Sequence, residues 1–181
     1  MGTEREQRLF ICVVLVVAAL AAALEVTAAR GSVRVPRPRA AWLAPLQAMD
    51  QAIERGEITA AETARHEAHQ AAIGSRKWEA LLDVGDAALR IGEATRSRSA
   101  REPEARRLFL AALLRAREQR SLDGVLGATE RFARLGDRDV VEQGLHIARG
   151  LAGSDPEALA RVRSLSERSP RGAAAAVGAE S

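Results

Sequence analysis

The sequence predicts an all-α protein of antiparallel helical hairpins, preceded by one hydrophobic N-terminal helix. Apolar residues recur at intervals of three and four from Trp42 onward, which is the pattern of helices with one buried face. No alternating stretch predicts a strand, and capping residues and glycines divide the chain into segments of helix length. The 181 residues are 47% hydrophobic and 28% charged, a composition that supports a folded core.

Residues 1–29 are predicted to be a signal anchor or a signal peptide. Leu9 to Leu24 form an unbroken apolar run, whose 16 residues span about 24 Å as a helix, against about 30 Å for a bilayer core. The apolar extension to Ala29 favours a retained single-pass anchor. The position of the run at the start of the chain and the small residues that follow it favour a helical domain outside the cytoplasm. The alternative is cleavage, which gives a secreted or periplasmic protein. The arginines after the run favour the opposite orientation, with the helical domain in the cytoplasm.

The apolar segment and the helical domain are joined by a predicted linker over residues 30–41. Pro36 and Pro38 disfavour helix in the residues before them, so an extended chain is expected here. The helical domain is predicted over residues 42–167. Residues 168–181 are mostly Gly, Ala and Ser and are predicted to be disordered.

Within the helical domain, seven helices are predicted over residues 42–55, 59–73, 76–91, 103–118, 121–135, 138–152 and 155–167. Four features predict helix starts: the capping box Thr59 and Glu62, the caps Ser75 and Ser121, and Asp155 before Pro156. Four glycines are expected to end helices in the left-handed conformation: Gly56, Gly74, Gly92 and Gly136. A longer linker, rich in Ser and Arg, is expected from Glu93 to Glu102.

A two-helix repeat is indicated by the spacing of the turn glycines. Gly56 and Gly92 are 36 residues apart, and Gly92 and Gly136 are 44 apart. The first helix of a unit is represented by Leu81 to Gly92, with Gly85 and Ala88 before the turn. Small and large residues at steps of four and three mark the second helix, as in Ala105, Phe109 and Ala112. The predicted shared core is Trp78, Leu82, Leu89, Leu108, Phe109, Leu113, Leu126, Phe132 and Leu145.

This pattern resembles the tetratricopeptide repeat (TPR) family, whose units of about 34 residues pair two helices. The resemblance covers Trp42 to Ala152 as about three degenerate repeats, with Pro156 to Glu167 as a capping helix. It implies a short solenoid that binds another protein or peptide in a groove lined by the first helix of each pair, and it implies no catalysis. The candidate partner-binding residues on these helices are Arg55, Arg90, Arg131 and Arg134, since arginine binds carboxylates bidentately.

One set of residues has the spacing of a metal site. Glu62, His66 and His69 lie at i, i+4 and i+7 on a predicted helix, so they share one face. Two imidazoles and a carboxylate are a possible zinc ligand set, and a metal-binding protein or metalloenzyme is therefore an alternative function. The histidines are three apart, which differs from the four-residue spacing of His-Glu-x-x-His enzymes. A local Glu–His pair on an exposed helix explains the same pattern without a metal.

Other reaction chemistry has no signature in the sequence. There is no glycine-rich phosphate loop after a strand and no Gly-x-Ser-x-Gly motif. The single thiol, Cys12, lies in the apolar run. We therefore expect a scaffold that is not an enzyme and that has no cofactor.

Nucleic-acid binding is the second alternative, through the predicted Arg96–Arg107 loop. It is disfavoured because the net charge is only +3, aromatic residues make up 3%, and Glu102 and Glu104 interrupt the arginines. We expect no nucleic-acid partner. The preference for Arg over Lys indicates a GC-rich bacterial genome rather than a function.

Overall fold

The computed structural model describes residues 40–168, which belong to the unit Pro38–Ser181. Within this range the chain folds into seven α-helices and has no strand, which confirms the all-α prediction for this part. The helices are α1 (Leu43–Glu54), α2 (Ile58–Ser75), α3 (Trp78–Ala94), α4 (Arg98–Glu118), α5 (Leu122–Leu135), α6 (Arg138–Ala152) and α7 (Pro156–Arg168). The predicted N-terminal segment, most of the linker and the tail after Arg168 lie outside the described residues.

Each helix packs against the next one along the chain, and turns of two or three residues connect them. Three further pairs of helices, each separated by one helix in sequence, also pack against each other: α1 with α3, α3 with α5, and α5 with α7. The odd-numbered helices are therefore direct neighbours of one another. None of the seven helices has the length and apolarity that crossing a membrane requires.

The core combines alanines with a similar number of larger side chains, mostly Leu and Val. The largest fully buried side chains are Phe109, Met49 and Ile91. Seven of the nine predicted core residues are buried, and the other two, Trp78 and Leu89, are half-buried and pack against the core. Alanine on facing helices lets the backbones approach closely, and this leaves little space for the few aromatic rings.

Two hairpins accommodate a larger side chain opposite a glycine. A Cβ added at Gly85 in α3 would lie 2.4 Å from Cε1 of Phe109 in α4. In the next hairpin, a Cβ at Gly144 in α6 would lie 2.2 Å from Oγ1 of Thr129 in α5. The glycine is on the first helix of the α3–α4 hairpin and on the second helix of the α5–α6 hairpin. Both hairpins therefore place a glycine against a larger side chain, but on opposite members of the pair.

Several predicted helix ends are confirmed. Ser121 caps α5, because its Oγ accepts a hydrogen bond from the Gly124 amide at 3.1 Å. Asp155 precedes Pro156, the first residue of α7, and its Oδ1 accepts from the Glu157 amide at 3.0 Å. Gly56 and Gly136 follow α1 and α5 with φ of +73° and +77°, the left-handed region that glycine adopts without a Cβ clash.

The predictions that Gly74 and Gly92 end helices are wrong. Gly74 lies inside α2 and Gly92 inside α3, and the left-handed residues after these helices are Arg76 and Arg96, with φ of 56° and 54°. Gly92 serves a close approach instead of a turn, because a Cβ there would lie 2.9 Å from the Cα of Arg98 in α4.

Two predicted N-caps are also wrong. Helix α2 begins at Ile58, so Thr59 is already helical and makes no cap hydrogen bond. The carboxylate of Glu62, which would complete the capping box, hydrogen-bonds Arg65 at 3.0 Å. Ser75 is the last residue of α2, where its Oγ donates to the Ala72 carbonyl at 2.7 Å, and α3 begins after Lys77 without a side-chain cap.

The predicted linker from Glu93 to Glu102 is mostly helix. Helix α3 continues to Ala94 and α4 begins at Arg98, which leaves three residues between them. Pro103, expected near the start of a helix, is the sixth residue of α4 and lacks the amide that would pair with the Ser99 carbonyl. The unequal glycine spacings arise because Gly92 lies four residues before the left-handed turn residue Arg96, and not from a long linker. Measured between the left-handed residues, Gly56 to Arg96 and Arg96 to Gly136 are each 40 residues.

Candidate functional site

The odd-numbered helices are connected by polar side chains that lie about 40 residues apart in sequence. Between α1 and α3, Nε of Arg90 donates to Oδ1 of Asp50 at 2.9 Å. At the start of α1, the indole Nε1 of Trp42 donates to Oδ2 of Asp83 in α3 at 2.8 Å. These contacts set the position of α1 along α3, because each requires a particular pair of helix turns to lie side by side.

The next connection, between α3 and α5, is the most buried. Arg131 in α5 donates to Oδ2 of Asp86 in α3 from Nε at 2.9 Å and from Nη2 at 2.6 Å. The Arg131 and Asp86 side chains are 18% and 24% exposed. Solvent and salt therefore screen this ion pair less than the more exposed pair of Asp50 and Arg90. The same guanidinium donates to the Gly127 carbonyl at 3.0 Å and lies 6.0 Å from the ring centroid of Phe109.

The third connection, between α5 and α7, is exposed. Arg161 in α7 donates to Oδ1 of Asp123 in α5, and the side chains are 50% and 68% exposed. Every neighbouring pair of odd-numbered helices is thus bridged by one Asp–Arg ion pair. We call Asp50–Arg90, Asp86–Arg131 and Asp123–Arg161 the Asp–Arg ladder.

The even-numbered helices are connected by a second set of ion pairs. Arg65 in α2 donates to Glu104 in α4 at 2.6 Å, and Arg101 in α4 donates to Glu62 in α2. Further along α4, Arg106 donates to Asp137 at the start of α6 at 2.7 Å. This hydrogen bond raises the pKa of Arg106 above its ordinary value.

The four predicted partner-binding arginines have different environments. Arg90 and Arg131 belong to the Asp–Arg ladder, so each already binds a carboxylate of this chain. Arg55 pairs with Glu57 at 3.0 Å on the exposed turn after α1, and the hydrogen bond from Arg55 to Glu57 raises the pKa of Arg55. Arg134 is exposed near the end of α5. Of the four, Arg134 is the one whose surroundings leave its guanidinium open to a partner.

An exposed face of α5 extends from Arg134. Gly127, Glu130 and Arg134 follow the helical spacing i, i+3, i+7, so they share one side of the helix. Gly127 is half-buried, and a Cβ there would lie 3.3 Å from Cδ1 of Leu82 in α3. This side of α5 therefore adjoins α3, with the Asp–Arg ladder beside it.

The candidate metal ligands Glu62, His66 and His69 do not form a metal site within the described residues. The Glu62 carboxylate binds both Arg65 and Arg101. His66 is exposed and His69 is half-buried, and burial lowers the pKa of His69, with a further contribution from the Arg65 charge. Residues 40–168 contain no group of three or more metal-ligating side chains placed to hold an ion.

The predicted Arg96–Arg107 loop is not a loop, since its residues from Arg98 onward belong to α4. Its arginines are largely paired with carboxylates: Arg98 with Glu93, Arg101 with Glu62, and Arg106 with Asp137. Within the segment, Arg96 and Arg107 are exposed.

The aspartates of the Asp–Arg ladder were missed by the sequence reasoning, although a periodic signal was present. From Asp50 to Asp86 is 36 residues, and from Asp86 to Asp123 is 37. Carboxylates at a nearly constant spacing indicate a repeated contact.

Comparison with known proteins gives no independent indication of function. No protein-family model, no curated protein and no solved structure matches the chain.

Proposed function

We propose that the protein is a TPR-like helical-repeat scaffold that binds another protein, held at a membrane by its N-terminal segment or exported. The observation that carries the proposal is the direct packing of odd-numbered helices against one another. In a stack of helical hairpins, the first helix of each pair contacts the first helix of the next, and these helices share one extended face. The short turns between packed helices support an antiparallel arrangement of each pair.

The Asp–Arg ladder supports the same arrangement. It joins α1, α3, α5 and α7 in order, with one ion pair for each step. A surface of this kind is preorganised, because its side chains are held before a partner arrives, and less conformational entropy is lost on binding. The exposed residues Glu130 and Arg134 of α5 lie on it and are the proposed contact points.

Site-specific photo-crosslinking in cells tests this proposal. A photoreactive amino acid placed at Glu130 or Arg134 in α5 is expected to give a discrete crosslinked species. The matched controls are Arg107 and Ala111, which are exposed on α4, an even-numbered helix. We expect no such species from the α4 positions. Equal crosslinking from α4 and α5, or none from α5, would refute the proposed binding face.

A further inference from the structure

A groove between α6 and α7 has the composition of a binding site and is separate from the face of α5. It is lined by Leu159, Val162, Arg163 and Ser166 from α7 and by Arg149 from α6, and its volume is about 310 Å³. This is near the lower end of the range of about 300–1,000 Å³ for ligand pockets. The groove therefore has room for a short segment of chain.

The charge in the groove has one sign. Arg149 and Arg163 are exposed, and neither makes an ion pair or a side-chain hydrogen bond within residues 40–168. This distinguishes them from Arg90, Arg131 and Arg161 of the Asp–Arg ladder, which each bind an aspartate. Two guanidiniums that line the same groove and have no carboxylate partner favour an anionic ligand.

The rest of the lining is apolar with one hydroxyl. Val162 is 2% exposed and belongs to the core, and Leu159 is partly buried against that core. An aliphatic side chain can pack on Leu159, behind which Val162 closes the core, while a neighbouring carboxylate reaches an arginine. Ser166, one helical turn after Val162, supplies a hydrogen-bonding group at the same groove.

We propose that the α6–α7 groove binds an acidic peptide segment of a protein partner, with an aliphatic side chain on Leu159 and carboxylates on Arg149 and Arg163. This inference rests on the proposed function for the nature of the occupant, but it assigns a second site with its own ligand chemistry. The aliphatic lining favours a peptide over a simple inorganic anion, which would use the arginines alone.

The test uses the full-length protein in a non-ionic detergent and the fluorescein-labelled, end-blocked peptide GSDLELGS. Fluorescence anisotropy is expected to show saturable binding. The uncharged peptide GSNLQLGS and the peptide GSDAEAGS, which lacks the aliphatic side chains, are each expected to bind at least about tenfold more weakly. Equal binding of the uncharged peptide would overturn the carboxylate assignment, and equal binding of GSDAEAGS would overturn the apolar one.

Charge-reversal variants locate the site. Arg149→Glu and Arg163→Glu are each expected to weaken binding of GSDLELGS about tenfold or more. Arg107→Glu, an exposed arginine of α4, is the matched control and should change the affinity less than about twofold. The double variant Arg149→Glu/Arg163→Glu should instead bind the basic peptide GSKLKLGS. Circular dichroism of each variant checks that the helices are intact.

The outcomes separate this proposal from the proposed function. Unchanged binding of GSDLELGS to both reversal variants, or no saturation up to about 1 mM peptide, would overturn the groove assignment. Neither result would alter the crosslinking expected from Glu130 and Arg134, which lie on α5. Loss of the α5 crosslinks with retained peptide binding would refute the scaffold face and leave the groove in place.

Discussion

The close contact between Gly85 and Phe109 makes a quantitative prediction about the hairpin of α3 and α4. The three heavy atoms nearest to a Cβ added at Gly85 all belong to the Phe109 ring, at 2.4, 2.8 and 3.1 Å. Phe109 is fully buried, so its ring has no solvent into which it can move. Gly85→Ala should therefore cost about 1–3 kcal/mol through overpacking, offset by about 0.5–1 kcal/mol of improved helix propensity.

Gly150 provides the matched control for this substitution. It lies within α6, is exposed, and a Cβ added there would meet nothing within 4 Å. Gly150→Ala should stabilise the protein by about 0.5–1 kcal/mol, because only the helix-propensity gain remains. The same chemical change is thus expected to have opposite signs at the two sites.

A double-mutant cycle isolates the contact itself. Phe109→Ala should destabilise the protein by about 3–5 kcal/mol through the cavity that it leaves. In that background the methyl group introduced by Gly85→Ala enters vacated space, so this substitution should become stabilising, with a coupling energy of about 1–3 kcal/mol. Urea unfolding followed by far-ultraviolet circular dichroism measures all four proteins. The packing of these two residues would be refuted if the two changes in unfolding free energy were additive. It would also be refuted if the single substitution Gly85→Ala stabilised the protein.

Three further predictions follow from other features. In a double-mutant cycle measured by urea unfolding, Asp86→Ala and Arg131→Ala should have a coupling energy of about 1 kcal/mol or more. The exposed Asp123–Arg161 pair should have a coupling energy below about 0.5 kcal/mol. Equal coupling energies would show that burial does not set the strength of these ion pairs. Because burial lowers the pKa of His69 below 6.5, its contribution to stability is complete above about pH 6.5 and is lost as the pH falls through the folded-state pKa. His69→Gln should reduce that loss in urea midpoints at about pH 7.5 and 5.5, and an unchanged profile would assign it to other groups. If Leu9 to Leu24 is a retained anchor, the protein should stay in the membrane pellet after carbonate extraction with the segment intact, whereas release of an intact chain would argue against an anchor.

Local patterns predicted much of the helical domain because their physical causes are local. Ser121 caps a helix through a bond to an amide three residues away, and the left-handed conformation at Gly136 depends mainly on its missing Cβ. Helical periodicity likewise identified Phe109 as buried, because the side chains flanking it at three and four residues define the face. These features need little knowledge of distant parts of the chain.

Some of the errors occurred where a distant residue competes with a local one. Glu62 has the spacing of a capping box with Thr59, yet its carboxylate binds Arg101, which is 39 residues away. Gly92 looks like a helix end, but the approach of Arg98 explains why glycine is there. Among the candidate site residues, Arg90 and Arg131 were identified by type, whereas their aspartate partners, 40 and 45 residues away, were not.

The weak attachment of α7 sets an order in which the helices should open. Helix α7 contributes three buried residues, against nine in α3, and its ladder ion pair is the most exposed of the three. Opening of α7 alone leaves Asp123 in water, where a single carboxylate is well solvated. Backbone amides of α7 should therefore exchange with deuterium through a local opening, while those of α3 exchange only when the whole domain unfolds. The α6–α7 groove would then exist only in molecules in which α7 is packed against the domain. A peptide bound in the groove would therefore slow amide exchange in α7 before it slows exchange elsewhere.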